Sequence, residues 1–256
     1  MNRRAFTLVE LLVAIAIIAV LAALIFRVTQ STMESGRNAA CVSNLRAIGA
    51  AISLYAGENE NKIPYGPKAP PFTSPSDLYP STGAPTSLLS LRGGAPVALG
   101  LLLNRYLDKT PEVLFCPGSD KKIDAAAELA KVGKTQAQGG YYYRHAGVTD
   151  LFDTPGVTSV PDHTSLGNLG NNRNGKPIRA LVMDINFQCP DGLKQFNVRS
   201  QSNHRGETTN ILFSDGHISS RPNTDDRFTI DVKEYGDLHA SFDKIMKAFE
   251  AADEEP

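Results

Sequence analysis

The chain has 256 residues, with 26 Lys and Arg against 27 Asp and Glu and a formal net charge of −1. That balance carries no basic footprint for nucleic acid, and the length holds one sizeable domain beyond a membrane segment. Apolar residues make up 41 % of the chain, much of them in the first stretch, while 21 Gly and 16 Pro make the remainder turn-rich.

Phe6 to Phe26 reads FTLVELLVAIAIIAVLAALIF, with no proline and a single carboxylate, Glu10. A helix of this length rises about 30 Å, the thickness of a bilayer's hydrocarbon. An ionisable group inside such a span is costly, so Glu10 is a functional candidate that needs a positive partner. Arg3 and Arg4 precede the span and only Arg27 follows it closely, which favours a cytoplasmic N-terminus and an exported C-terminal region. A secretory signal peptide, with Ala22-Ala23 near its cleavage site, and a simple signal anchor are two readings of this stretch.

The third is a resemblance. A short basic leader, a Phe, and then Thr-Leu-Val-Glu running into an apolar helix closely resemble the signature of type IV prepilins and type II secretion pseudopilins. The resemblance implies a leader at residues 1–5, cleavage between Ala5 and Phe6 by prepilin peptidase, and N-methylation of Phe6. Ala5 departs from the commoner Gly. It also implies that Glu10, fifth in the mature chain, faces the N-terminal amine of a neighbouring subunit. Opposite charges attract strongly in a low-dielectric medium and offset each other's desolvation, so Glu10 would set the register between packed helices.

Beyond the transmembrane helix at 6–26, apolar positions resume at Val42, Leu45, Ile48, Ile52 and Tyr55, one stripe on a helix. Gly57 suits a helix end and Pro64 blocks a restart, so residues 27–57 continue the same helix, with a bend allowed near Gly36. Its length is then about 75 Å. Residues 58–256 form the globular part. Residues 64–97 read as a long loop, Leu99–Leu107 and Ala125–Val132 as short helices, Val113–Phe115 as a strand, and 139–174 as loop with short strands. Arg179–Ile185 and Gln195–Arg199 read as strands. Asn210–Ser214 and His217–Ser220 flank Asp215-Gly216 as a hairpin with a two-residue turn. Leu238, Phe242, Ile245, Met246 and Phe249 mark a terminal amphipathic helix, and the final Asp-Glu-Glu-Pro reads as a frayed acidic tail. The expected fold class is α+β, pilin-like: a long N-terminal helix, transmembrane in its first half, packed on a C-terminal antiparallel sheet.

The stretches NHRGETTNILFSDGHIS, CVSNLRAIGAAISLYAGENENKIP and VLFCPGSD also resemble a large group of prepilin-type bacterial proteins whose C-terminal pattern is a His followed by Asp-Gly. His204 and Asp215 here are one residue further apart than in that pattern.

Cys41, Cys116 and Cys189 make an odd count. Cys116 (LFCPG) and Cys189 (FQCPD) share local sequence and are the expected disulfide in an exported domain, with Cys41 a buried small hydrophobe in the helix. No Cys-x-x-Cys occurs, which gives thiolate metal binding little support. Asp184, His204, Asp215 and His217 stand at strand ends and could converge for metal or acid–base chemistry. No protease, hydrolase or phosphate-loop motif occurs, so no enzyme is expected. Some pseudopilins hold Ca²⁺ in a C-terminal loop, and Asp225, Asp226, Asp231, Glu234 and Asp237 are weak oxygen-donor candidates, without EF-hand spacing; no other cofactor is expected.

Two functions are in view. One is a structural subunit, minor by its size, of a type II secretion pseudopilus or type IV pilus-like filament. Its partners would be prepilin peptidase, other pilin or pseudopilin subunits and an inner-membrane assembly platform. The chain would cross the bacterial inner membrane once, with its domain periplasmic or extracellular. The other is a membrane-anchored extracytoplasmic binding module that does not polymerise.

Overall fold

The computed structural model describes residues 8–66, 86–91, 93–120, 123–145, 164–196 and 199–254. The leader with its Ala5–Phe6 junction, and most of the segments read as loops at 64–97 and 139–174, lie outside those residues.

Helix α1 runs from Leu8 to Glu58, ending one residue past Gly57 and remaining helical through Gly36. Its 51 residues correspond to about 76 Å. The two halves differ in what they meet. Leu8, Val9, Leu11, Leu12, Ile15 and Ile18 are each more than half exposed, whereas Cys41, Leu45, Ile48 and Ile52 are sealed in the core. The Thr32–Glu58 half is also long and apolar enough to cross a membrane, at mean hydropathy 1.3, but its apolar stripe is already occupied by the domain.

Five antiparallel strands form the sheet against which α1 packs: β1 (Thr86–Ser90), β2 (Ala137–Tyr143), β3 (Ala180–Asp184), β6 (Thr208–Phe213) and β7 (Ile218–Pro222), in the order β1-β2-β3-β6-β7. Strands β4 (Asn186–Gln188), β5 (Gln201–Ser202) and β8 (Ile230–Asp231) make a small second sheet. Successive side chains alternate between faces. Tyr141, Tyr143, Val182 and Leu212 therefore join the α1 side, while Tyr142, Met183, Ile211 and Phe213 join the opposite core. Helix α3 (Leu238–Glu254) covers that second core with Ile245, Ala248, Phe249 and Ala252. The result is three layers, helix–sheet–helix, and the fold is α+β as expected.

Several local expectations are corrected. Val113–Phe115 is not a strand: Pro111 opens a 3₁₀ turn over Pro111–Leu114, because its fixed φ suits the first helical position, and only Phe115 is extended. Of the strand expected over Gln195–Arg199, Gln195 and Phe196 instead belong to a 3₁₀ turn, Asp191–Phe196, and residues 197–198 lie outside the described residues. The helix expected at 99–107 is a short 3₁₀ segment, Ala98–Leu102, followed by turns. The helix begun at Ala125 is α2 (Ala125–Leu129), capped by the Asp124 carboxylate, which accepts from Ala127 N at 3.2 Å. Four residues, Ser214–His217, separate β6 from β7, and the turn closed by the Phe213–His217 pair holds three rather than two. Gly216 N donates to Phe213 O (2.9 Å), Phe213 N to His217 O (3.0 Å), and only Gly216 adopts positive φ.

Strand β1 falls where a loop was expected, while β2 opens the tract expected to hold short strands and starts two residues ahead of it. In β2 the second glycine of the pair Gly139-Gly140 is required by crowding. A Cβ on Gly140 would come within 2.8 Å of Cys116 N and Phe115 Cα. Gly140→Ala is expected to cost about 1–3 kcal/mol by overpacking, measured by chemical denaturation; a wild-type midpoint would contradict this packing.

The acidic tail is not frayed at Asp253. This side chain is fully buried, pairs with Arg144 Nη1 at 2.8 Å, and accepts from Arg179 N, Ala180 N and Asn172 Nδ2 at 2.8–3.1 Å. Arg173 grips α3 as well, donating to both oxygens of Glu250 (2.7 and 2.8 Å) and to Asp243 (2.6 Å). These contacts hold α3 against the start of β3, the central strand of the sheet.

Candidate functional site

The inward stripe of α1 does not stop at Cys41. Counting back by four and three from Ile52 gives Ile48, Leu45, Cys41, Asn38 and Glu34, so the face that is apolar low in the domain turns polar at its top. Against that polar end stand three further segments. Cys116 follows the 3₁₀ turn through the extended Phe115. Asp184 ends β3. His204 opens the turn that leads into β6.

The four side chains Cys41, Cys116, Asp184 and His204 are all buried, and their ligand-capable atoms lie within 4.8 Å of one another. Cys116 Sγ is 3.2 Å from His204 Nε2, Cys41 Sγ is 3.4 Å from Asp184 Oδ1, and His204 Nε2 is 3.7 Å from Asp184 Oδ2. On its outer side His204 Nδ1 meets Glu34 Oε1 at 3.3 Å. Asp184 is held from both oxygens: Asn203 Nδ2 donates to Oδ1 (2.9 Å), and Asn210 N and Nδ2 donate to Oδ2 (2.9 Å each). Asn210 in turn donates to Asn38 Oδ1 (2.8 Å) and accepts from Ser220 Oγ. Tyr141 Oη lies 3.3 Å from Cys41 Sγ.

Backbone conformation is spent on placing the imidazole. His204, Arg205 and Gly206 all have positive φ (47°, 56° and 73°), a conformation that costs non-glycine residues about 1–3 kcal/mol each. Gly118 lies directly under the ring; a Cβ there would fall 2.5 Å from Cε1 and Nδ1. Its carbonyl accepts from His204 N (2.9 Å), and its own N donates to Cys116 Sγ (3.3 Å).

The electrostatics are those of a shared-proton cluster. Hydrogen bonding from Cys116 lowers the Cys41 thiol below its ordinary range against the opposing effect of burial. The same bond, then burial and the Asp184 charge, push Cys116 up. At His204 burial disfavours the cation, but the Cys41 hydrogen bond and the Asp184 charge outweigh it and raise the imidazole to about 9. An open cleft of about 670 Å³, lined by Asn44, Phe115, Cys116, Pro117 and Ser119 among others, reaches one member of the cluster, Cys116.

The sequence candidates thus separate. Asp184 and His204 converge; Asp215 and His217 do not join them but pair with each other at the hairpin turn, Oδ1 to Nδ1 at 2.6 Å, with His217 stacked on Phe213 at 4.1 Å. Strand β6, about 20 Å long, runs between the two pairs. Cys41 is buried as expected, but as a polar partner. The expected Cys116–Cys189 disulfide is not formed: all three thiols are free, Cys116 lies in the α1 core and Cys189 packs against the α3 core, on the other side of the sheet. Among the described residues none of Asp225, Asp226, Asp231 and Asp237 belongs to a metal-capable group. Asp226 accepts from Thr229 Oγ1, Asp231 pairs with Lys233, and Asp237 accepts from Lys233 N.

Glu10 lies in the first turn of α1, in an exposed apolar segment, Leu8–Ala22, that fits a single-pass membrane anchor. No curated protein and no solved structure matches the chain. Residues 1–26 match a family model described as the prokaryotic N-terminal methylation motif. The chain therefore carries a prepilin-like N-terminal signature, and the match supports a type IV pilin- or pseudopilin-like protein.

Proposed function

We propose that this protein is a structural, non-catalytic and minor subunit of a type II secretion pseudopilus or type IV pilus-like filament. Prepilin peptidase cuts between Ala5 and Phe6, Phe6 is N-methylated, and the chain rests in the inner membrane with its domain outside the cytoplasm until an assembly platform extracts it. The observation that carries this reading is the solvent-facing apolar surface of α1, on which Leu8, Val9, Leu11, Leu12, Val13, Ile15, Ile17 and Ile18 are all exposed. Such a surface needs lipid or the equivalent helices of neighbouring subunits. Within a packed bundle of these helices Glu10 meets the Phe6 ammonium of the adjacent copy.

The test is a Glu10→Val substitution in cells that make the filament. The variant is expected to insert and to be cleaved normally, while its content in sheared filaments falls at least tenfold. Mass spectrometry of the mature N-terminus should find methylated Phe6. Wild-type incorporation of the variant, or Met1 retained on a chain that never enters filaments, would instead fit a tethered binding module.

A further inference from the structure

We propose that Cys41, Cys116, Asp184 and His204 form a tetrahedral zinc-class metal centre that fastens α1 to the sheet. The inference is independent of filament assembly and uses only the domain's own geometry.

The spacing is that of a coordination shell. Zinc binds thiolate at about 2.3 Å, imidazole at about 2.0–2.1 Å and carboxylate at about 2.0–2.2 Å, so the edges of a tetrahedron of such ligands measure roughly 3.3–3.8 Å. The Cys116 Sγ–His204 Nε2 edge here is 3.2 Å, Asp184 adds an edge of 3.4 Å to Cys41 Sγ through Oδ1 or of 3.7 Å to His204 Nε2 through Oδ2, and with one atom from each residue all edges stay within 4.8 Å. Four protein donors close the shell, as in structural rather than catalytic zinc sites. Two thiolates with an imidazole select the zinc class over calcium or magnesium.

The outer shell matches as well. A ligating histidine usually hands its other ring nitrogen to a carboxylate, which fixes tautomer and ring orientation. Glu34 Oε1 sits 3.3 Å from His204 Nδ1, leaving Nε2 for the centre. Asn203 and Asn210 hold Asp184, and Gly118 N supports the Cys116 sulfur. Asn203 Oδ1 is buried with no hydrogen-bond partner, a polar atom left over beside the site. The left-handed backbone at His204 and the bare Gly118 beneath its ring are explained by the same demand: the imidazole must enter a fixed slot.

On binding, the protons held by the two sulfurs and by His204 Nε2 leave to solvent, and His204 coordinates as neutral imidazole through Nε2 with its Nδ1 proton donated to Glu34. The cleft reaches one of the ligands, Cys116. The four ligands come from α1, the Cys116 loop, β3 and the turn before β6, so the ion would cross-link the anchor helix to the domain. A bare hydrogen-bonded core and a Cys41–Cys116 disulfide are the competing outcomes.

The full chain, purified in detergent under reducing conditions without chelator, should carry one zinc per chain by elemental mass spectrometry. After chelator treatment, added Co²⁺ should give the intense visible bands of tetrahedral cobalt and a thiolate charge-transfer band, both abolished by Zn²⁺. Cys116→Ser and Cys41→Ser should each weaken binding at least tenfold. Glu34→Gln, a positioning change, should weaken it roughly ten- to a hundredfold while keeping the tetrahedral spectrum. His217→Ala, outside the site, should bind as wild type. Octahedral cobalt bands, no metal uptake by the reduced wild-type chain, or a Cys41–Cys116 disulfide with no zinc after reduction would each overturn the proposal, whether or not the variants fold.

Discussion

Asp253→Ala is expected to lower the stability of the domain by about 3–5 kcal/mol, the cost of leaving one member of a buried ion pair uncompensated. Asp253 and Arg144 have essentially no exposed side-chain surface, so solvent screening gives little relief. The carboxylate also accepts from Arg179 N, Ala180 N and Asn172 Nδ2, and each of these donors loses its acceptor. For a domain of this size the loss corresponds to a fall in Tm of roughly 6–20 °C, read by circular dichroism on the detergent-solubilised chain. A second variant separates the contributions. Arg144→Met with Asp253→Leu removes both charges, a replacement that is often neutral for a simple pair. Here it should recover only part of the stability, because two backbone donors at the start of β3 still face an apolar side chain. Full recovery would reduce Asp253 to a counter-ion and remove its role as the clasp between α3 and the sheet.

Asp184→Asn changes the volume of its side chain hardly at all, yet is expected to cost about 3 kcal/mol or more in metal-free protein. Both carboxylate oxygens accept from donors: Asn203 Nδ2 on one side, Asn210 N and Nδ2 on the other. Whichever way an amide is turned, its NH₂ confronts an N–H group with no acceptor between them. Steric reasoning alone predicts a silent substitution, so equilibrium unfolding distinguishes the two views. A difference under about 0.5 kcal/mol would mean that the asparagines rearrange and that the network is not rigid.

The legible parts of this chain were those in which periodicity and burial agree. Helix α1, strand β3, the β6–β7 hairpin and α3 each carry an apolar repeat matched to their geometry. Strand β1 and the bounds of β2 were hidden for opposite reasons. Thr86–Ser90 sits beside a proline- and glycine-rich tract, and Gln-Gly-Gly-Tyr-Tyr-Tyr has large side chains on both faces, because a helix covers each side of the sheet. At the site, Asp184 and His204 were legible as strand-end residues, but Cys41 was read only as apolar. The cluster has no local spacing: Cys41 and Asp184 are 143 positions apart, Cys116 and His204 are 88. Only the fold brings them together. One signal was available in sequence, the continuation of the Leu45–Ile48–Ile52 stripe backward into Cys41, Asn38 and Glu34.

A single uninterrupted helix from Leu8 to Glu58 has a mechanical consequence. Between Phe26, where the apolar span ends, and Glu34, which meets His204 of the domain, the rod advances about 12 Å. With its far end embedded in the core, a continuous helix would pass axial thrust on its apolar end to the sheet. The domain would then rise and turn as one piece with its stem, like the head of a piston.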